Sequence, residues 1–226
     1  MKIFVYCLGL GLFAGCFLVF GGRAGVVKPA AKPFARLYAE QSDVKPWQGK
    51  SPGCLLLALA LILAGLQAEM LRSADVYTAL GLSGLYSITA TAAVIDWKRK
   101  IIPNQLVLAG CVLRAVLWAL QLPQGGEGLA FLVSEIVGGV FGFGLIALAA
   151  ALTKGGIGLG DAKLMGVVGL LAGFTGAFST LLAALVISVA VSLYGILIKH
   201  WNRRQSIPFG PCIAAGYCAA IMLQSY

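Results

Sequence analysis

Apolar runs near the roughly 20 residues that cross a bilayer as a helix recur along the whole chain. They are rich in Leu, Ala, Gly and Val, and they lack the two-residue alternation of an outer-membrane barrel. With 60% hydrophobic and 11% charged residues and a mean hydropathy of +0.93, the composition excludes an ordinary soluble domain. The expected fold is therefore an all-α membrane protein, a polytopic bundle of about eight transmembrane helices in a single membrane domain, 1–226. Breaker and window rules place the spans near 3–22, 53–71, 75–95, 104–121, 129–152, 162–176, 178–198 and 209–225. The stretch from Leu164 to Ser192 is too long for one crossing, and it is divided at Gly173-Phe174-Thr175-Gly176.

Basic residues give the orientation. If the loop after the first span is cytoplasmic, that side collects Arg23, Lys28, Lys32, Arg36, Lys45, Lys50, Lys98, Arg99, Lys100, Lys154, Lys163, Lys199, Arg203 and Arg204. Of the 17 basic residues, only Lys2, Arg72 and the intramembrane Arg114 fall elsewhere, so the positive-inside rule predicts both termini outside and an even number of spans. The net charge of +9 reads as topology, with a weak attraction for anionic headgroups and no nucleic-acid signal. A cleaved signal is not expected, because the first apolar run continues past Cys16 through Phe20. The six cysteines show no CxxC spacing, and the single histidine, His200, lies beside Trp201 in a basic interfacial loop, so no metal site is expected.

Against this background the acids stand out. Asp96 ends the third span in ITATAAVIDWKRKIIPN, and Asp161 begins the sixth in GLGDAKLM, which brings both to the same face. Asp161 alone could be a helix N-cap. Asp96 follows an apolar helix whose C-terminal dipole repels a carboxylate, so the alternative there is a solvated Asp offset by Lys98, Arg99 and Lys100. Two carboxyls in near-contact cannot both ionise. One then deprotonates water while the other donates to a carbonyl oxygen, which is aspartyl peptidase chemistry. Gly158 and Gly160 leave bare backbone beside Asp161, against which an extended peptide can lie; the plain alternative is a flexible turn.

Arg114 lies deep in the fourth span and Glu135 at similar depth in the fifth, and they are expected to form a structural ion pair away from the aspartates. A face of small residues, Gly138, Gly139, Gly142 and Gly144, suggests tight helix packing, either within the chain or at a dimer seam.

Four stretches resemble the prepilin peptidases, also called type IV leader peptidases, a family of polytopic GxGD aspartyl proteases: GLFAGCFLVFGGR, DWKRKIIPN, GIGLGDAKLM and SIPFGPCIAAG. The resemblance implies Asp96 and Asp161 as the catalytic dyad and Gly158 and Gly160 as the rest of the GxGD motif. It also matches Lys163 to a family lysine expected near the dyad, where it would favour ionisation of one Asp. Pro208, Gly210 and Pro211 are implied to lie near the site, in a re-entrant segment or simply at the start of the last helix. The implied substrates are prepilin or pseudopilin N-terminal segments, cut at the cytoplasmic face of the plasma (inner) membrane.

The chain departs from larger members in its first cytoplasmic loop, 23–52, which has no cysteine. Zinc is not expected there, and neither is methylation of the product with S-adenosylmethionine, so no cofactor is expected. The first span also differs, with Cys16 and Val19 at positions that are often Ser and Asn in the family. Cytoplasmic loops 96–103 and 154–163 are the expected catalytic loops. Two other classes compete: a transporter or ion-binding protein using the Asp pair, which usually holds such groups near the midplane in repeated helices, and an inactive pilus-assembly factor. A presenilin-like protease shares GxGD, but there Tyr typically precedes the first Asp, where this chain has Ile95.

Overall fold

A computed structural model of the protein describes residues 75–121, 128–153, 158–197 and 208–223. The expected spans 3–22 and 53–71 and the loop 23–52 lie outside these residues. Among the described residues the structure is helical throughout: α1 (Val76–Arg99), α2 (Asn104–Gln121), α3 (Gly128–Leu152), α4 (Leu159–Leu197) and α5 (Gly210–Leu223). The first four are long and apolar enough to cross a membrane, and α5 is a shorter apolar helix.

α1 and the first part of α4 are the inner elements. Most of the apolar stretch of α1 is buried, as is most of 162–173, whereas α2, α3 and the later part of α4 leave most of theirs at least partly exposed, as lipid-facing helices do. Three hydroxyl side chains in α1 could oppose such burial, but each is satisfied within the helix. Ser87, Thr89 and Thr91 donate to the carbonyls of Ser83, Leu85 and Ser87 at 3.0, 2.9 and 2.7 Å. Leu82, Leu85, Ile88 and Ala92 then pack with Leu106 of α2, Val167, Val168 and Leu181 of α4, and Ile213 and Tyr217 of α5. Tyr217 spends its hydroxyl proton on the Leu82 carbonyl at 2.6 Å, which ties α5 to α1.

The long run at 159–197 forms two rods. Gly173 breaks the helix with φ 70° and ψ −177°, a conformation that side chains disfavour. At 1.5 Å per residue, continuing straight past this point would put Thr180 roughly 30 Å from Asp161. Instead Thr180 and Ala184 lie against Gly216, six residues into α5. The rod after Gly173 therefore runs back toward the end of the bundle where it began. The Phe174 amide freed at the break is taken by the Ser134 hydroxyl at 3.3 Å. The division expected from the sequence is thus a real reversal.

α3 and α4 meet through glycines. A Cβ on Gly138 would fall 2.6 Å from the Gly173 carbonyl carbon, one on Gly142 would fall 2.6 Å from the Met165 oxygen, and one on Gly169 would overlap the Gly138 backbone. Gly144, expected on the same face, meets nothing within 4 Å. Six residues from Gly138 is roughly 240° around a helix, so it points elsewhere.

Candidate active site

The two aspartates come from the ends of different helices, and the helices run slightly further than expected. α1 continues through Arg99, which puts Asp96 in its last turn, and Lys100 closes the helix in the left-handed conformation with its amide on the Asp96 carbonyl at 2.8 Å. α4 starts at Leu159, so Asp161 lies inside its first turn and is not the N-cap; its amide donates to the Gly158 carbonyl at 3.1 Å. The glycine-rich approach leads straight into the helix.

These ends converge. Gly160 packs on Ile102, where an added Cβ would sit 3.2 Å from the Ile102 Cβ, and this seats the first turn of α4 against the connection that follows Asp96. Asp96 is buried and Asp161 half-buried, and each carboxyl lies within electrostatic reach of the other. The dyad expected from the sequence is brought together at one end of the bundle. Gly158 flanks it, since a Cβ there would stand 3.2 Å from Asp161 Oδ2.

α5 supplies the third side. Its Gly210 amide donates to Asp96 Oδ2 at 2.8 Å in a buried hydrogen bond, across 114 residues of sequence. Pro208 and Phe209 precede the helix and Pro211 stands in its first turn, where a missing amide proton costs little. Ile213 donates to the Phe209 carbonyl at 3.0 Å. Gly210 thus starts a helix, and that start is docked on Asp96. Cys212 lies within electrostatic reach of both aspartates.

Lys163 is beside the site but bonds elsewhere. Its Nζ donates to Asn104 Oδ1 at 2.8 Å, which links the first turn of α4 to the first residue of α2. The sequence reasoning missed Asn104 as this partner, although it ends the Ile-Pro-Asn stretch already singled out. Among the described residues no group of three His, Cys, Asp or Glu side chains is arranged to hold a metal ion.

Arg114 and Glu135 form a separate cluster. Arg114 Nη2 lies 2.6 Å from Glu135 Oε1, and Nε donates to Oε2 at 2.8 Å, a bidentate and buried pair. Trp118 Nε1 donates to Glu135 Oε2 at 2.6 Å, and Arg114 Nη2 also donates to Gln121 Oε1 at 3.1 Å. Trp118 and Gln121 were not foreseen, yet positions 114, 118 and 121 share one helix face by the i, i+4, i+7 rule. Ten residues of α2, about 15 Å, separate this clamp from the dyad end.

A search of solved structures finds no match. The chain is 29% identical to a prepilin leader peptidase/N-methyltransferase of Bacillus subtilis, over 97% of this chain and 92% of that one. It is 28% identical to a Burkholderia pseudomallei protein of the same description, covering 63% of this chain and 46% of the relative. A type 4 prepilin-like proteins leader peptide-processing enzyme of Escherichia coli is 28% identical, over 76% of this chain and 60% of that one. The chain thus spans nearly all of the first relative and roughly half of the others. The profile of the type IV leader peptidase family matches residues 83–193, a segment that holds Asp96, the glycine approach, Asp161 and the Arg114–Glu135 pair and ends before α5. Both aspartates and their supporting turns thus lie inside the part of the chain that matches the type IV leader peptidase family.

Proposed function

We propose that the protein is a membrane aspartyl endopeptidase that removes the leader of type IV prepilins or pseudopilins at the cytoplasmic face of the plasma membrane. The observation that carries this reading is the meeting of Asp96 and Asp161 from the last turn of α1 and the first turn of α4. The family match and the leader peptidases that the chain resembles supply the substrate class. The basic-residue distribution supplies the orientation, with both termini outside and eight crossings in all.

The chemistry follows from placing two carboxyls together. The pair holds one proton between its members, because adjacent like charges disfavour double ionisation. The ionised member takes a proton from water as the water oxygen attacks the scissile carbonyl carbon, and the protonated member gives its proton to the carbonyl oxygen. The tetrahedral intermediate then collapses. Its C–N bond breaks, the leaving nitrogen takes back the proton that came from water, and the other carboxyl recovers its own. Exposed Gly158 leaves bare backbone beside Asp161 for the substrate, Gly160 seats the first turn of α4 on Ile102, and the Lys163–Asn104 bond holds the two carrying segments in register.

S-adenosylmethionine enters no step. The hydrolytic step draws only on the two carboxyls and water, with the Lys163–Asn104 bond, the Gly210 amide and the Cys212 thiol around them. Because loop 23–52 is free of cysteine, we assign this chain the peptidase step alone, without the second activity in the relatives' descriptions. Co-expression with a prepilin from the same genome tests both parts. Mass spectrometry is expected to find a shortened pilin with an unmethylated amino terminus. An uncut pilin counts against the peptidase, and a methylated product against the restriction to one step. A transporter reading predicts no cleavage and a proton or cation flux that requires both aspartates.

A further inference from the structure

We propose that the first turn of α5 is part of the catalytic apparatus, with the Gly210 amide acting as the donor that sets the orientation of the Asp96 carboxyl. The inference rests on the peptidase reading and extends it to a helix that the family match does not reach.

Three features support it. The bond from Gly210 N to Asp96 Oδ2 is 2.8 Å long and buried, so water does not compete for it. The position tolerates no side chain, since a Cβ on Gly210 would lie 2.9 Å from both the Cβ and Oδ2 of Asp96. The donor also sits on a fixed element: α5 is tied to α1 by the Tyr217 hydroxyl on the Leu82 carbonyl, and Gly216 is wedged against Thr180 and Ala184. A carboxyl has two chemically equal oxygens until something distinguishes them. With Oδ2 held by the amide, Oδ1 is the oxygen left to handle the water proton. The unpaired amides of a helix amino terminus favour a negative group there, which adds to the direct bond.

Pro208-Phe209-Gly210-Pro211 thereby gains a physical account. Proline suits the start of the helix, and glycine lets its backbone come within bonding distance of a catalytic side chain. Gly210 is a positioning residue in this scheme. It does not touch the substrate.

Two measurements test it. In steady-state cleavage of a prepilin peptide, Gly210→Ala is expected to lower kcat by about 100-fold, the usual scale for displacing a catalytic group by about 1 Å, with KM within about threefold of wild type. Hydrogen exchange resolved to the Gly210 amide supplies a readout independent of activity and of whether Gly210→Ala folds. Asp96→Ala is expected to speed exchange of that amide about tenfold, the scale of a hydrogen bond to a charged group, while Asp161→Ala leaves it unchanged. Gly210→Ala with normal kcat, a loss confined to KM, or unchanged exchange in Asp96→Ala would overturn the proposal. If the wild type cuts no prepilin, the peptidase reading fails by itself, and the exchange comparison still decides whether the amide is held by Asp96.

Discussion

The two buried charge clusters of this bundle are built on opposite plans. At one end Asp96 and Asp161, two acids, lie within electrostatic reach of each other at the ends of α1 and α4, with glycine backbone around them. Deeper in α2 and α3, Arg114 and Glu135 form a bidentate pair that Trp118 and Gln121 complete. Opposite charges with matched donors and acceptors stabilise an arrangement and leave nothing over for chemistry. Like charges held together are strained toward sharing a proton, which is what a hydrolytic site needs and a framework would avoid.

The largest expected effect tests the acid pair. Asp96→Asn or Asp161→Asn is predicted to lower cleavage of a prepilin peptide by roughly a thousandfold or more while the helical circular dichroism stays as in wild type, since removing an acid–base partner has that scale. If one variant keeps near-normal activity, the two acids are not a pair. The clamp should respond in stability. Arg114→Met leaves a buried Glu135 charge unpaired and is predicted to destabilise the folded protein by about 3 kcal/mol or more, whereas Arg114→Met with Glu135→Met recovers most of that loss, read by denaturant titration in detergent. A double variant as unstable as the single would mean that the clamp does more than cancel its own charges.

Smaller effects refine the picture. Gly169→Ala puts a methyl into the Gly138 backbone and is predicted to cost about 1–3 kcal/mol in the same titration, while Gly144→Ala, facing open space, stays within about 0.5 kcal/mol. Equal effects at the two positions would contradict the packing described for α3 and α4. Lys163→Gln loses one exposed bond to Asn104 and is predicted to slow cleavage about threefold, the scale of one modest hydrogen bond. A hundredfold loss would instead show that Lys163 acts on the dyad directly, as the family resemblance implied.

Much of this was legible in the sequence because the bilayer simplifies the code. Apolar runs located α2 to within a residue and α3 almost as closely, since charged or glycine-rich breaks bound them. Counting depth from the ends of the two spans brought Arg114 and Glu135 to one level, because an intramembrane charge needs a partner. The reversal at Gly173 was signalled by a run too long for one crossing, although the residue that breaks the helix is known only from its positive φ. Other features depend on distant contacts and left no local trace. Nothing near Asp161 says that the helix begins two residues earlier, and nothing near Asp96 points to Gly210, because that bond spans 114 residues. Gly144 was misplaced for a different reason: adjacency in a glycine-rich run does not establish a shared helix face.

The central claim is that the acid pair performs the hydrolysis and the clamp only holds the frame. The most direct measurement is single-turnover cleavage of one prepilin peptide by purified protein in lipid nanodiscs. Wild type, Asp96→Asn, Asp161→Asn and the Arg114→Met/Glu135→Met double variant would be compared at equal amounts of folded protein. The account predicts no detectable cleavage by either aspartate variant and a rate within about threefold of wild type for the clamp variant. Cleavage surviving in an aspartate variant, or lost in a well-folded clamp variant, would contradict it.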